Sequence, residues 1–297
     1  MLRDDIKEQG HIVWFSSYPK SGNTWFRAFY TNLIRNLDKP AGVNELEPRL
    51  LAGSRNLFDQ YTGIESSDLN ENEIERLRPR VFEIISREIG KEGNPVYMKI
   101  HDAYTKTSLG EWLVSPKATK AALYFIRNPL DVAVSFAHHN SCSIDKMIEK
   151  MGDENYALNF KANRIGNQLK QRLTTWSNHV TGWIDQLGDR LHIMRYEDMV
   201  RDTLNTFTKA VNFLELPNDG ERIQKALRFS DIRELQKQEE QYGFKEKSQS
   251  AASFFRQGKS GSWREVLTSS QVERIIGDHG EVMKRLGYLN EKGELLF

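Results

Sequence analysis

Four short apolar runs punctuate the chain: HIVWFSS at 11–17, VYMKI at 96–100, AALYFI at 121–126 and LHIMRY at 191–196. Each is strand-length, partly β-branched or aromatic, and apolar at successive positions rather than at alternate ones. That pattern predicts strands buried on both faces, as in a parallel sheet. Between them the period changes. After Gly22, Trp25, Phe26, Phe29, Tyr30, Leu33, Ile34 and Leu37 recur at helical spacing, and Ile74, Leu77, Val81, Ile84 and Ile85 do so within 70–89. NPLDVAVSFAHH (128–139) opens with a helix-start signal: Asn128 as N-cap, Pro129 in the first helical position and Asp131 at N3. Further helices are predicted around 167–187, 203–215, 219–227 and 268–286.

Strands alternating with helices imply right-handed crossovers and a sheet covered on both sides. The fold class expected is α/β: a P-loop-type, three-layer α/β/α arrangement around a central, mostly parallel sheet. Ligands of such sheets bind beyond the carboxyl ends of the strands. No repeat and no long Pro/Gly/Ser-rich linker divides residues 1–297, so one domain is expected.

Composition narrows the classes of function. A formal net charge of +1 argues against a general nucleic-acid binder. Cys142 is the only cysteine, which excludes an intrachain disulfide framework and a cysteine-rich zinc site, and fits a reducing compartment. The opening MLRDDIKEQG lacks an apolar signal region, and no apolar run reaches the length of a membrane span. A cytoplasmic, unanchored protein is the expectation.

The chemistry gathers at the strand ends. YPKSGNTW (18–25) links the first strand to the first helix. Lone N–H groups and the helix dipole make such a turn attractive to an anion; Gly22 permits close approach, Ser21 and Thr24 add hydroxyls, and Lys20 adds charge. Taken alone it could equally be a plain strand-to-helix turn with a surface lysine. An ATP-binding P-loop places its lysine after the last glycine, whereas Lys20 precedes Gly22. A Mg-ATP kinase is therefore the less favoured reading. At the second strand end Lys99 and His101 share a face, and a histidine there could serve as a general base or simply be a hydrogen-bonded strand terminus. Arg127 ends the third strand with Ser135 on the helix that follows: a second anion site, unless Arg127 merely pairs with Asp131 or Asp198. Tyr196, Glu197 and Asp198 close the fourth strand. FFRQGKSGSW (254–263) adds a basic, glycine-containing loop flanked by aromatics. His138 and His139 have no partner at metal-ligand spacing and read as helix surface or pocket wall.

Together YPKSGNTW, KIH (99–101), IRNPLDVAVS (126–135), RYEDM (195–199), FSDIREL (229–235) and RQGKSGSW (256–263) resemble the soluble, cytosolic-type sulfotransferases that use 3′-phosphoadenosine 5′-phosphosulfate (PAPS). The motifs keep the family's order from Ile12 to Glu273. The resemblance implies that Lys20, Ser21, Gly22, Asn23, Thr24 and Trp25 hold the 5′-phosphosulfate, with Lys20 donating to the bridging oxygen. It implies that Arg127, Ser135, Arg256, Gln257 and Gly258 hold the 3′-phosphate, that Trp25, Tyr196 and Phe229 enclose the adenine, and that His101 is the base, with Lys99 stabilising the transferring group. No metal is implied. Gln257 stands where the family has lysine, and Ser262 where it has aspartate. REVLTSSQVE (264–273) only loosely resembles the family's short dimerisation pattern, with arginine for lysine and serine for valine, so the resemblance leaves a homodimer through it open.

The implied reaction moves a sulfuryl group to a hydroxyl of a small organic acceptor, such as a phenol, alcohol or secondary metabolite, leaving adenosine 3′,5′-bisphosphate. The acceptor pocket is expected from segments 40–65, 102–110, 138–165 and 236–255, with Phe58, Tyr61, Tyr104, Tyr156, Phe160, Tyr242 and Phe244 as aromatic walls. Beside the kinase, the other rival is a non-catalytic nucleotide-binding protein of the same fold.

Overall fold

The computed structural model describes residues 10–90, 94–159, 166–248 and 251–296. Strand β1 (Ile12–Ser17) runs through the apolar IVWFSS and feeds helix α1 (Asn23–Arg35). Helices α2 (Arg55–Thr62) and α3 (Glu71–Ile89) follow, the latter started by an Asn70–Glu73 capping box. Strands β2 (Val96–Ile100) and β3 (Thr119–Ile126) lead to α4 (Pro129–Asn140), where the Asn128 side chain caps as its sequence predicts. Next come α5 (Ile144–Met151), the short strands β4 (Ala157–Leu158) and β5 (Gln171–Arg172), and α6 (Trp176–Leu187). The remainder is β6 (Leu191–Arg195), α7 (Tyr196–Arg201), α8 (Thr203–Phe213), α9 (Gly220–Phe229), α10 (Ile232–Tyr242) and α11 (Ser269–Arg285).

The main sheet has the order β2-β1-β3-β6, and all its neighbours are parallel. Because side chains alternate along a strand, each strand feeds two cores. Ile12, Trp14, Met98, Ile100, Tyr124 and Ile126 face a core shared with α3, α4, α6 and α11. Val13, Phe15, Leu123, Phe125 and Met194 face the other, filled by Phe26, Phe29 and Leu33 of α1, Phe207 and Val211 of α8, and Ile223 of α9. The result is the expected three-layer arrangement. Each large apolar side chain buried there contributes about 1.5–3 kcal/mol.

Two expected elements differ. The predicted 167–187 helix begins only at Trp176, after Thr175 caps it. The preceding Gln171–Arg172 pairs antiparallel with Ala157–Leu158, and Arg172 also exchanges backbone contact with the His101 strand end, since its carbonyl accepts from Ala103 N at 2.7 Å. The fourth strand stops at Arg195, so Tyr196 starts a helix instead of ending a strand. Among the described residues, no helix is long and apolar enough to cross a membrane.

Candidate active site

The turn after β1 is shaped by two left-handed residues, Lys20 (φ 69°) and Gly22 (φ 102°). Gly22 is required twice over: a Cβ there would sit 3.0 Å from the Tyr196 ring and 3.3 Å from Met199 Sδ. No side chain caps α1, so its first N–H groups are available to an anion. Asn23 does not reach outward. Its Nδ2 donates to Phe15 O at 2.9 Å and to Ser17 Oγ at 3.4 Å, fastening the turn to the strand behind it. Ser21 Oγ is buried without a partner, an orphan that an incoming oxyanion would satisfy. Burial and the neighbouring Arg127 guanidinium push the Lys20 ammonium down to about 7, and its Nζ rests 3.8 Å from the centre of the Phe254 ring.

At the end of β2, His101 Nδ1 lies 2.9 Å from Ser17 O. A carbonyl oxygen only accepts, so Nδ1 carries the proton and Nε2 keeps its lone pair. Burial and the nearby Lys99 charge push this imidazole down to about 3, holding it neutral. The backbone around it is heavily fixed. His179 Nε2 donates to His101 O (3.0 Å) while its Nδ1 accepts from Tyr124 OH (2.8 Å), and Trp183 Nε1 donates to Asp102 O (3.0 Å). The Asp102 carboxylate, fully buried, takes two bonds from Arg78, at 2.9 and 2.6 Å, and one from Arg172 N.

Lys99 is not free. Its Nζ donates to Glu246 Oε2 at 2.7 Å, and the buried Arg27 donates to the other oxygen of the same carboxylate at 2.6 Å. Burial pushes Lys99 down from the usual lysine range. The two cations hold Glu246 well below the carboxylate range against its own burial. Glu246 and Arg27 are functional candidates that the sequence reading missed. Glu246 lies in the polar run FKEKS, which looks like a solvated loop.

Arg127 stacks 4.1 Å from the Tyr196 ring centre and donates to Lys20 O at 3.4 Å and Lys259 O at 2.9 Å, while its buried Nε has no partner. It is 3.9 Å from Asp131, whose carboxylate is otherwise occupied: it accepts from Gly261 N (2.7 Å), Ser262 Oγ (3.0 Å) and Trp263 N (3.1 Å). Asp131 thus does more than start α4. It clamps the C-terminal loop beside Arg127, and Ser262 joins that clamp. Asp198 pairs with Arg195 and Arg201, whereas Glu197 accepts from Asn128 N and Tyr288 OH, holding the Arg127 turn from behind.

A cavity of about 720 Å³ opens on this ensemble, lined by Lys20 through Trp25, Lys99, His101, Arg127, Ser135 and Tyr196. A smaller one of about 90 Å³ shares Arg127, Ser135 and Tyr196 with it and adds Arg256, Gln257 and Gly258. The residues expected to serve catalysis or hold the nucleotide, Phe229 excepted, therefore line one or both of these spaces. Phe229 ends α9, half-buried and on neither wall; its carbonyl accepts from Asn32. Of the predicted acceptor aromatics, Phe160 lies outside the described residues, and none of the others lines the cavity. Phe58 and Tyr104 are core residues, Tyr104 packing 5.2 Å from both Trp112 and Trp183, and Phe244 sits in a satellite cluster with Phe255. Tyr61 and Tyr156 pack against the core, and Tyr242 is exposed. The aromatic walls are Phe136, Phe254 and Phe255 instead, and His139 also faces the cavity.

Comparison with known proteins gives this geometry a context. The "Sulfotransferase domain" family model matches residues 11–287. The amine sulfotransferase of Oryctolagus cuniculus is 22% identical over 293 residues, covering 95% of this chain and 83% of that protein. Sulfotransferase 2A2 of Rattus norvegicus is 26% identical over 273 residues, covering 90% and 82%. In overall shape the chain is similar to retinol dehydratase solved with androsterone and the inactive cofactor PAP, with a TM-score of 0.60, 17% identity, and coverage of 93% and 81%. Its strand-end lysines, histidine and arginine thus stand in a domain matched over nearly the whole length, and the chain belongs to the sulfotransferase family.

Proposed function

We propose that this protein transfers a sulfuryl group from PAPS to a hydroxyl of a small acceptor, releasing adenosine 3′,5′-bisphosphate. The observation that carries the reading is the coincidence, around two spaces that share Arg127, Ser135 and Tyr196, of a neutral imidazole with an unprotonated Nε2 and two separate groups of cationic and N–H donors. The residues fit the nucleotide: Ser21 Oγ and Arg127 Nε are buried donors without partners, and the mouth of α1 is uncapped. Lys20, Ser21 and the first N–H groups of α1 would receive the 5′-phosphosulfate, and Arg127, Ser135 and Arg256 the 3′-phosphate. Trp25 and Tyr196, whose ring centres are 6.1 Å apart, would flank the base.

His101 accepts the acceptor's proton at Nε2, while Ser17 O holds the protonated Nδ1 in place. The anionic phosphosulfate offsets the Lys99 charge that depresses the imidazole, so its proton affinity rises when the site is filled. Lys20 and Lys99 are preorganised donors for charge developing on the leaving and transferring groups, the kind of contribution that usually dominates. In His101→Ala, kcat should fall by about 10²–10⁴-fold. Calorimetry should meanwhile show the affinity for adenosine 3′,5′-bisphosphate within about threefold of wild type, because no cofactor contact is assigned to His101. Undiminished turnover would remove His101 from the mechanism.

A further inference from the structure

A cluster of carboxamides lines the cavity that His101 also lines. Asn140, Asn159, Gln168 and Gln171 all line it. Gln168 Oε1 accepts from Asn159 Nδ2 at 3.1 Å and from Gln171 Nε2 at 2.8 Å. That pairing leaves Gln168 Nε2, Asn159 Oδ1 and Gln171 Oε1 without protein partners among the described residues. Gln171 is only 4% exposed and lines the cavity. Its position is fixed by the neighbouring Arg172, whose N–H donates to Asp102 Oδ1 at 2.9 Å, one residue from His101. Phe136 supplies an aromatic face on the same cavity, and none of the four carboxamides carries a charge.

This set of groups selects an acceptor by chemistry. Gln168 offers N–H donors, and Gln171 and Asn159 offer carbonyl acceptors, the complement of hydroxyls that both give and take a hydrogen bond. A monohydric phenol would spend its single hydroxyl on His101 and leave the carboxamides desolvated and unpaired, which is penalised. A ring carrying several hydroxyls pairs them and can lay its C–H face on Phe136. Resting on the sulfuryl-transfer reading above, we propose that the acceptor is a neutral polyhydroxylated ring, a glycoside or cyclitol, with one hydroxyl at His101 and its neighbours on Gln171 and Gln168.

The test compares 4-nitrophenol with 4-nitrophenyl glycosides and myo-inositol as acceptors for labelled PAPS. Saturation-transfer NMR of the same compounds on the bisphosphate-loaded protein provides a readout independent of turnover. At least one polyol should exceed nitrophenol in kcat/KM by about 10-fold or more. Gln171→Leu and Gln168→Leu should each cut that preference by about 10- to 100-fold, with bisphosphate affinity retained. Should Gln171→Leu fail to fold, judged by lost bisphosphate binding, the half-buried Gln168 carries the comparison. A preference for nitrophenol, an unchanged ratio in the variants, or no polyol binding and turnover despite intact bisphosphate binding would each overturn the assignment. Failure of the wild type to bind the bisphosphate would instead overturn the sulfuryl-transfer reading itself.

Discussion

Raising the pH from 7 to 9 should weaken the grip on the nucleotide through one side chain. Lys20, pushed down to about 7 by burial and by Arg127, is half charged at neutral pH in the free protein. A bound phosphosulfate or phosphate favours its charged form, so binding must draw in the missing proton. The uptake is about half a proton at pH 7 and about nine-tenths at pH 8, so the affinity should fall about 5-fold between pH 7 and 8 and about 9-fold between pH 8 and 9, roughly 2.3 kcal/mol in all. The second ionisation of the ligand's phosphates lies near ~6, below this window. Titration calorimetry of adenosine 3′,5′-bisphosphate between pH 7 and 9, in two buffers of different ionisation enthalpy, reads both quantities. Lys20→Arg, permanently charged, should flatten the dependence. A dissociation constant steady within about twofold across the window, with no proton uptake, would refute the reasoning. The sign for stability is opposite: the unfolded chain binds a proton that the folded one has shed, so the free protein gains stability as pH rises from about 7 toward 10.5.

Other outcomes follow from the neighbouring contacts. Glu246→Gln removes the counter-charge of Lys99 and Arg27, so Lys99 should lose its proton at lower pH. The alkaline limb of the kcat profile should move to lower pH; an unmoved limb would show that Lys99 does not depend on Glu246. Arg78→Met strands a buried Asp102 carboxylate and should cost about 3–5 kcal/mol in urea unfolding, much of it recovered by adding Asp102→Asn; a loss below about 1 kcal/mol would contradict the burial of that pair. Gly22→Ala must adopt a left-handed φ against the Tyr196 ring and should lower stability by at least about 1–2 kcal/mol in the same assay, whereas an unchanged midpoint would mean that the turn relaxes freely.

The sheet was legible because its strands are apolar on both alternating sets of positions, and α1 and α4 because Gly22, Asn128 and Pro129 punctuate them locally. The strand-end residues were legible too, since topology carries Lys20, His101, Arg127 and Tyr196 to one edge. What could not be read depends on distant partners. Nothing near Glu246 in sequence announces Arg27 and Lys99, which lie 219 and 147 residues away. The path of 167–175 was misread because pairing with 157–158 and docking on Ala103 outweigh its helix-compatible composition. Phe58 and Tyr104 show why loop aromatics mislead: composition marks them as contact-forming but leaves open whether they face a ligand or the interior.

Asp131 has an implication for how the molecule comes into being. The guanidinium that would receive the 3′-phosphate sits at 127, yet the loop completing its surroundings is fastened by a carboxylate to backbone amides 130 and 132 residues further along. A growing polypeptide therefore cannot complete the surroundings of Arg127 until the final stretch has been made and docked. Competence to hold the nucleotide proposed above should arrive late in synthesis.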